Sequence, residues 1–338
     1  MLNRIRRHHI MIYLLYLLVT IGLTYPIITT LSTEFIGWDN GDAYEQARHA
    51  WWFKTAIQNG GDIFWQSALA YPDGFSGVSL WANPLQFFPM WVFAFVMPLA
   101  TAYNITLLLT MALNGWAMYF LARNHFGHHH HTPAIITGLI YMIFPVFQGH
   151  VFDGHAGLIM QWGAPLLIYA LFEYIDSGRK RWFGLSVIFF VLSVGGNALQ
   201  VLYFLLPLMA FVLFTLLYKR NLIGVTRVIT VSIVGSLVLL VYLFPAINDT
   251  LQFNRYIVSE GYVRDSVDLL GIVSPSFRNT FWSNVMQYPT LVLGDNLAEG
   301  SSYIGIIALT LAFIGGLSTP KSRWWILVAL TSWLLALG

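Results

Sequence analysis

Long apolar runs alternate with shorter polar stretches along the whole chain, in a rhythm that a soluble fold does not have. Apolar segments lie near 10–31, 84–98, 103–122, 133–147, 158–175, 183–196, 199–218, 224–246, 301–318 and 324–338. Runs of about 20 apolar residues are what a helix needs to cross a bilayer. Barrel strands would alternate in hydrophobicity instead, and only helices or closed barrels satisfy their backbone groups in lipid. The pattern predicts an all-α fold, a polytopic transmembrane helical bundle. Segment 84–98 is short and broken by Pro84, Pro89 and Pro98. It reads as an interfacial or re-entrant helix of the first outer loop, which leaves about nine spans. The alternative keeps 84–98 as a span and demotes 133–147.

Composition agrees with that class: 57% of the 338 residues are apolar, 16% aromatic and only 9% charged. An ordinary soluble domain carries about 25% charged residues. With no cysteine, disulfides and thiolate metal sites are excluded. The net charge of +2 says little, but its distribution says more. Lys and Arg prefer cytoplasmic loops, and basic connections recur at Arg179-Lys180-Arg181, Lys219-Arg220 and Lys321. With nine spans and a cytoplasmic N-terminus, the inner side holds twelve Lys/Arg against two acids, and the outer side five against thirteen. The expected location is the cytoplasmic membrane of a prokaryote, and nothing points to nucleic acid. Arg4, Arg6 and Arg7 could open a signal peptide, but 10–31 is long enough to span and lacks a small-residue cleavage site, so the helix is retained. The chain stops inside an apolar run at Leu337-Gly338. It reads as one module, 1–338, the N-terminal part of a longer protein.

Two long segments then face outward, 32–102 and 247–300. The first begins with Gly37-Trp38-Asp39-Asn40-Gly41-Asp42, after which a helical pattern runs from Tyr44 to about Asn59. An Asp at that place is commonly an N-cap. Yet 71 residues are many for a connection, and long loops are often functional. Asp42, with Asp39 beside it, is the candidate catalytic acid. A short outer turn carries Gly149-His150-Val151-Phe152-Asp153-Gly154-His155. Acids and histidines at membrane depth mark function more often than not. Asp153, His155 and His150 supply carboxylate oxygen and imidazole nitrogen, a set suited to a divalent cation such as Mn²⁺ or Zn²⁺. The second long segment offers Arg255 and Arg264, which either bind a lipid phosphate or pair with Asp265 and Asp268. Asn197 and Gln200 are expected to hydrogen-bond between helices, and the run His128–His131 to be a solvated connection.

Taken together, Asp42-Ala43-Tyr44, Gly149…Asp153-Gly154-His155, Tyr71-Pro72-Asp73-Gly74 and Ser302-Tyr303-Ile304-Gly305 resemble the GT-C superfamily of membrane glycosyltransferases. The likeness lies in the order and placement of short motifs. It implies an N-in helix followed by a first outer loop with interfacial helices and an essential Asp, here Asp42. It implies a polyprenyl-phosphate-linked sugar donor, a glycan, lipid or protein acceptor met on the outer face, and Arg264 or Arg255 on the lipid phosphate. In the oligosaccharyltransferase branch the second acidic motif binds a divalent metal, Mg or Mn. Here His155 stands where that branch has a second carboxylate, and the branch's Trp-Trp-Asp motif is absent. Two other functions suit the same helices: a transporter or flippase for lipid-linked saccharides, and a non-catalytic assembly protein.

Overall fold

A computed structural model of the chain describes residues 2–39, 41–78, 82–127, 130–253, 269–272, 303–318 and 320–336. It is all-α apart from one minimal hairpin. The chain divides into two units, residues 1–142 with 154–255, and residues 143–153 with 256–338.

In the first unit, α1 (Leu2–Leu23), α4 (Leu99–Phe126) and α5 (His131–Met142) form one packed group. Its core joins Ile12, Tyr16, Ala112, Tyr119, Ala122, Ala134 and Met142. α4 and α5 approach closely at Gly115 and Gly138, where a methyl group on either would press into Tyr16 or the facing carbonyl. Small residues at such a crossing let membrane helices pack backbone to backbone. The Tyr16 hydroxyl donates to the Ile135 carbonyl at 3.1 Å, so its buried polar end is satisfied. A second group is built by α8 (Gly163–Ser177), α9 (Lys180–Leu192), α10 (Leu206–Tyr218) and α11 (Leu222–Phe253). Leu167, Leu171, Phe190, Val194, Met209 and Val228 are among its buried residues.

The first polar loop is ordered between these helices. It holds α2 (Ala43–Asn59), strands β1 (Trp65–Gln66) and β2 (Phe75–Ser76), paired antiparallel, and α3 (Pro84–Ala94). The sequence reading anticipated α2 and missed the hairpin, whose strands are two residues long. α2 buries Ala43, Ala47, Ala50 and Ala56, and its Phe53 stacks on Trp91 of α3 with centroids 4.1 Å apart. Lys54 donates to the Ala94 carbonyl at 2.8 Å, which satisfies an end group of α3. The 11 residues of α3 reach about 16 Å, too little to cross a hydrocarbon core of about 30 Å.

Helix length also corrects the span count. Four described helices are long and apolar enough to cross a membrane, at 99–126, 156–177, 201–218 and 222–252, and residues 131–153 make a fifth if their two helices count as one span. The expectation of about nine exceeds this. α9 has 13 residues, because Lys180 and Arg181 open it and Gly195-Gly196-Asn197 follow its end. Among the described residues, the apolar helix His8–Leu23 falls short of the length needed to cross.

The second unit contains α6 (Pro145–Asp153), a short 3-10 turn at Leu269–Ile272, α12 (Ile306–Ser318) and α13 (Pro320–Ala336). Gly316 of α12 lies against Ile326 of α13. Most of the expected outer segment 247–300, with Arg255, Arg264, Asp265 and Asp268, lies outside the described residues, while α11 runs on through Phe253.

Two smaller expectations are corrected. Among the described residues Gln200 is buried with neither side-chain polar atom hydrogen-bonded, and Asn197 accepts from the nearby Leu199 N–H. Gln200 sits where the helix opens into a π-turn, Val201–Leu205. Pro207 next along has no N–H to give, and that favours the wider turn.

Candidate functional site

The site is framed by α4, through two buried asparagines that the sequence reading passed over. Asn104 accepts from the Ile36 N–H at 2.8 Å and donates to the Leu31 and Glu34 carbonyls at 3.0 and 2.7 Å. It thereby fixes the chain that leads into the Asp39–Asp42 turn. Asn114, ten residues on, donates to the Ile159 carbonyl at 2.7 Å and accepts from the Gln161 N–H at 3.1 Å. It fixes the chain that leaves His155. Both side chains are fully buried, so each spends its hydrogen-bonding capacity on backbone that would otherwise be unsatisfied.

These clamps bring Asp42 and His155 together. Asp42 Oδ2 lies 3.3 Å from His155 Nε2, and the two side chains are 52% and 28% exposed. Asp42 stands at the N-cap position of α2 but makes no side-chain cap hydrogen bond. The carboxylate turns to the imidazole instead. Gly154, just before His155, has φ +78° and lies against the Ala43 backbone. A side chain there would be strained and would push the two turns apart.

Of the other sequence-predicted residues, Asp39 is exposed on the turn before Asp42. Asp153 ends α6 in the second unit, and His150 lies three residues earlier on the same helix, buried. Among the described residues, no group of three or more His, Asp or Glu side chains is placed to hold a metal ion.

The helix α2 continues the site in a way the sequence reading did not follow. Asp42, Glu45, Gln46 and His49 recur at spacings of three and four, which places them on one face over about 10 Å. His49 is buried; its Nε2 lies 3.3 Å from Glu45 and its Nδ1 3.0 Å from the side-chain amide of buried Gln66 in β1. Arg48 donates to Gln66 Oε1 at 2.8 Å and reaches Glu45 at 3.5 Å. The His49 hydrogen bond, then the charges of His49 and Arg48, hold the Glu45 carboxyl below its ordinary value, while partial burial opposes them. Gln46 accepts a hydrogen bond from Gln86 of α3, whose side chain lies against Gly157. The i, i+3, i+4 recurrence of polar residues after Asp42 was the available signal.

The family to which this architecture belongs is identifiable from the sequence. The chain belongs to the family described as a domain of unknown function (DUF6311). The family model matches residues 11–338, which includes both turns of the site and the whole of α2. No curated protein matches the chain.

Proposed function

We propose that the protein is a membrane glycosyltransferase of GT-C type that moves a sugar from a polyprenyl-phosphate-linked donor to an acceptor on the extracytoplasmic face. In this reading the N-terminus is cytoplasmic, more helices cross the membrane than the four that are long and apolar enough by themselves, and the 32–102 loop lies outside. The observation that carries the proposal is the 3.3 Å pairing of Asp42 with His155, two residues more than a hundred positions apart, each on a polar turn between apolar helices. The resemblance in motif order and placement supports the same reading.

The chemistry is a displacement at the anomeric carbon. The acceptor oxygen forms a bond to that carbon, the bond from carbon to the phosphate oxygen breaks, and the polyprenyl phosphate leaves with the electron pair. The acceptor's proton passes to Asp42, a half-exposed carboxylate that water and a polar acceptor can reach. His155, donating through Nε2–H, holds the carboxylate in one orientation. Glu45, Gln46 and Arg48 give the sugar hydroxyls both acceptors and donors along α2. The lipid phosphate falls to Arg255 or Arg264.

The test is transfer from polyprenyl-phosphate hexoses and pentoses, offered singly in liposomes holding the purified protein. Asp42→Asn should lower transfer about 10²–10⁴-fold, the usual worth of a general base, with melting temperature unchanged. Full activity in that variant removes Asp42 from the reaction.

One observation favours a second reading. Asp249 of α11 is 8% exposed and its Oδ2 has no hydrogen-bond partner among the described residues, although its Oδ1 accepts from Ser76 at 3.0 Å. A buried acid near the end of a long apolar helix is a feature of transporters, so movement of lipid-linked saccharide without transfer is the competing function.

A further inference from the structure

At the end of the first helix group that carries the chain's N-terminus, away from the Asp42 turn in sequence and on different elements, three side chains converge that nothing above uses. His8 comes from α1, Tyr119 from α4, and His131 is the first residue of α5. His8 Nε2 and His131 Nδ1 are 3.1 Å apart, Tyr119 Oη is 2.9 Å from His131 Nδ1, and Tyr119 Oη is 3.5 Å from His8 Nε2. The sequence reading took the histidine run as a solvated connection. His131 is instead half-buried and packed between two other helices, with Tyr119 fully buried.

We propose that His8, His131 and Tyr119 form a binding site for a divalent transition metal of the zinc type. Three heteroatoms from three helices close a single triangle, and its size is what decides the matter. A circle through three points with those separations has a radius of about 1.9 Å, so an ion just off their plane sits about 2.0–2.1 Å from each, the bond length of zinc to imidazole nitrogen and to oxygen. The same three distances are close to the edges of a coordination tetrahedron at that bond length. The fourth position would be taken by water.

The donor set selects the ion. Two imidazoles suit zinc, nickel or copper, whereas magnesium and calcium prefer all-oxygen shells. Binding requires neutral histidines and favours the phenolate of Tyr119. Arg123, which hydrogen-bonds Tyr119 and lies 3.4 Å from His9 Nε2, places a positive charge nearby that partly offsets the attraction for a cation. The ion would tie α1 to α4 and α5, adding a polar cross-link to a core held by apolar packing and by hydrogen bonds from Tyr16 to the Ile135 carbonyl, Tyr13 to the Leu109 carbonyl and Trp116 to the His9 carbonyl.

The test uses the full chain, purified, stripped with a chelator and titrated with Zn²⁺, and separately with Co²⁺ for its visible absorption. One equivalent should bind per chain, Co²⁺ should show the intense bands of four-coordinate geometry, and the melting temperature should rise with metal, as it does for any ligand of the native state alone. His8→Gln and His131→Gln should each weaken binding at least tenfold, and Tyr119→Phe should weaken it less. Replacing His128, His129 and His130 together should leave it within about threefold. Absence of binding and of a thermal shift in the unsubstituted chain overturns the proposal, a result that needs no variant to fold. So does binding that survives the loss of both His8 and His131, or that vanishes with the His128–His130 run. None of these outcomes depends on whether the protein transfers sugar.

Discussion

Asp42 and Asp249 are both carboxylates at helix ends in the first unit, and their surroundings are opposite. Asp42 is half-exposed and faces an imidazole across 3.3 Å. Asp249 is buried and takes one hydrogen bond from Ser76 of the hairpin, and among the described residues its second oxygen has no partner. A carboxylate open to water and next to an imidazole can gain and lose a proton within a reaction cycle. A buried one pays heavily for charge unless it is paired. In the proposed reaction the same side chain serves as a reagent in one place, and it links α11 to the hairpin in the other.

The sharpest way to break that comparison is to make the same change at both positions. Asp42→Asn should cost about 10²–10⁴ in transfer rate and leave the melting temperature alone. Asp249→Asn keeps the size and an acceptor for Ser76, and should leave transfer within severalfold of the unsubstituted rate while moving stability. Transfer measured in liposomes beside thermal melts in detergent separates the two. A loss confined to Asp249→Asn inverts the comparison and favours the saccharide-moving function.

A smaller effect is expected at the clamps. Asn114→Ala and Asn104→Ala each leave buried backbone groups unsatisfied, at about 1–3 kcal/mol, read as a lower melting temperature. Because each asparagine anchors one of the two turns, transfer should fall in both variants. Asn114→Ala that melts normally and transfers normally would deny α4 its positioning role.

The smallest effect concerns Glu45. Its carboxyl titrates below the ordinary value in the folded protein because of His49 and Arg48. A depressed acid stabilises the fold above its unfolded value and loses that contribution as pH falls through the folded one. Stability of the native chain should thus decline slightly faster on acidification than that of Glu45→Gln, by a few tenths of a kcal/mol at most for so exposed a group. Parallel melting curves across the acidic range would show no such linkage.

The sequence carried the helical class, the amphipathic α2 and the demotion of 84–98, because each leaves a periodic or proline-broken trace. It misjudged span number, since short apolar runs such as 183–196 were counted as spans, whereas the helix there, Lys180–Leu192, has 13 residues. Asp42 and His155 were legible as candidates on turns expected to face each other, but the backbone contacts of Asn104 and Asn114 that hold those turns were not. A single Asn within an apolar helix has no local pattern that tells which distant carbonyl it serves. His8, Tyr119 and His131 were invisible for the same reason, being separated by most of the first group.

The most direct test of the catalytic pairing is a double-mutant cycle on transfer rate, combining Asp42→Asn with His155→Gln. If the imidazole acts through the carboxylate, the double variant should be no slower than Asp42→Asn alone. Losses that multiply would show two groups working independently, and a double variant that transfers at the unsubstituted rate would contradict the account outright.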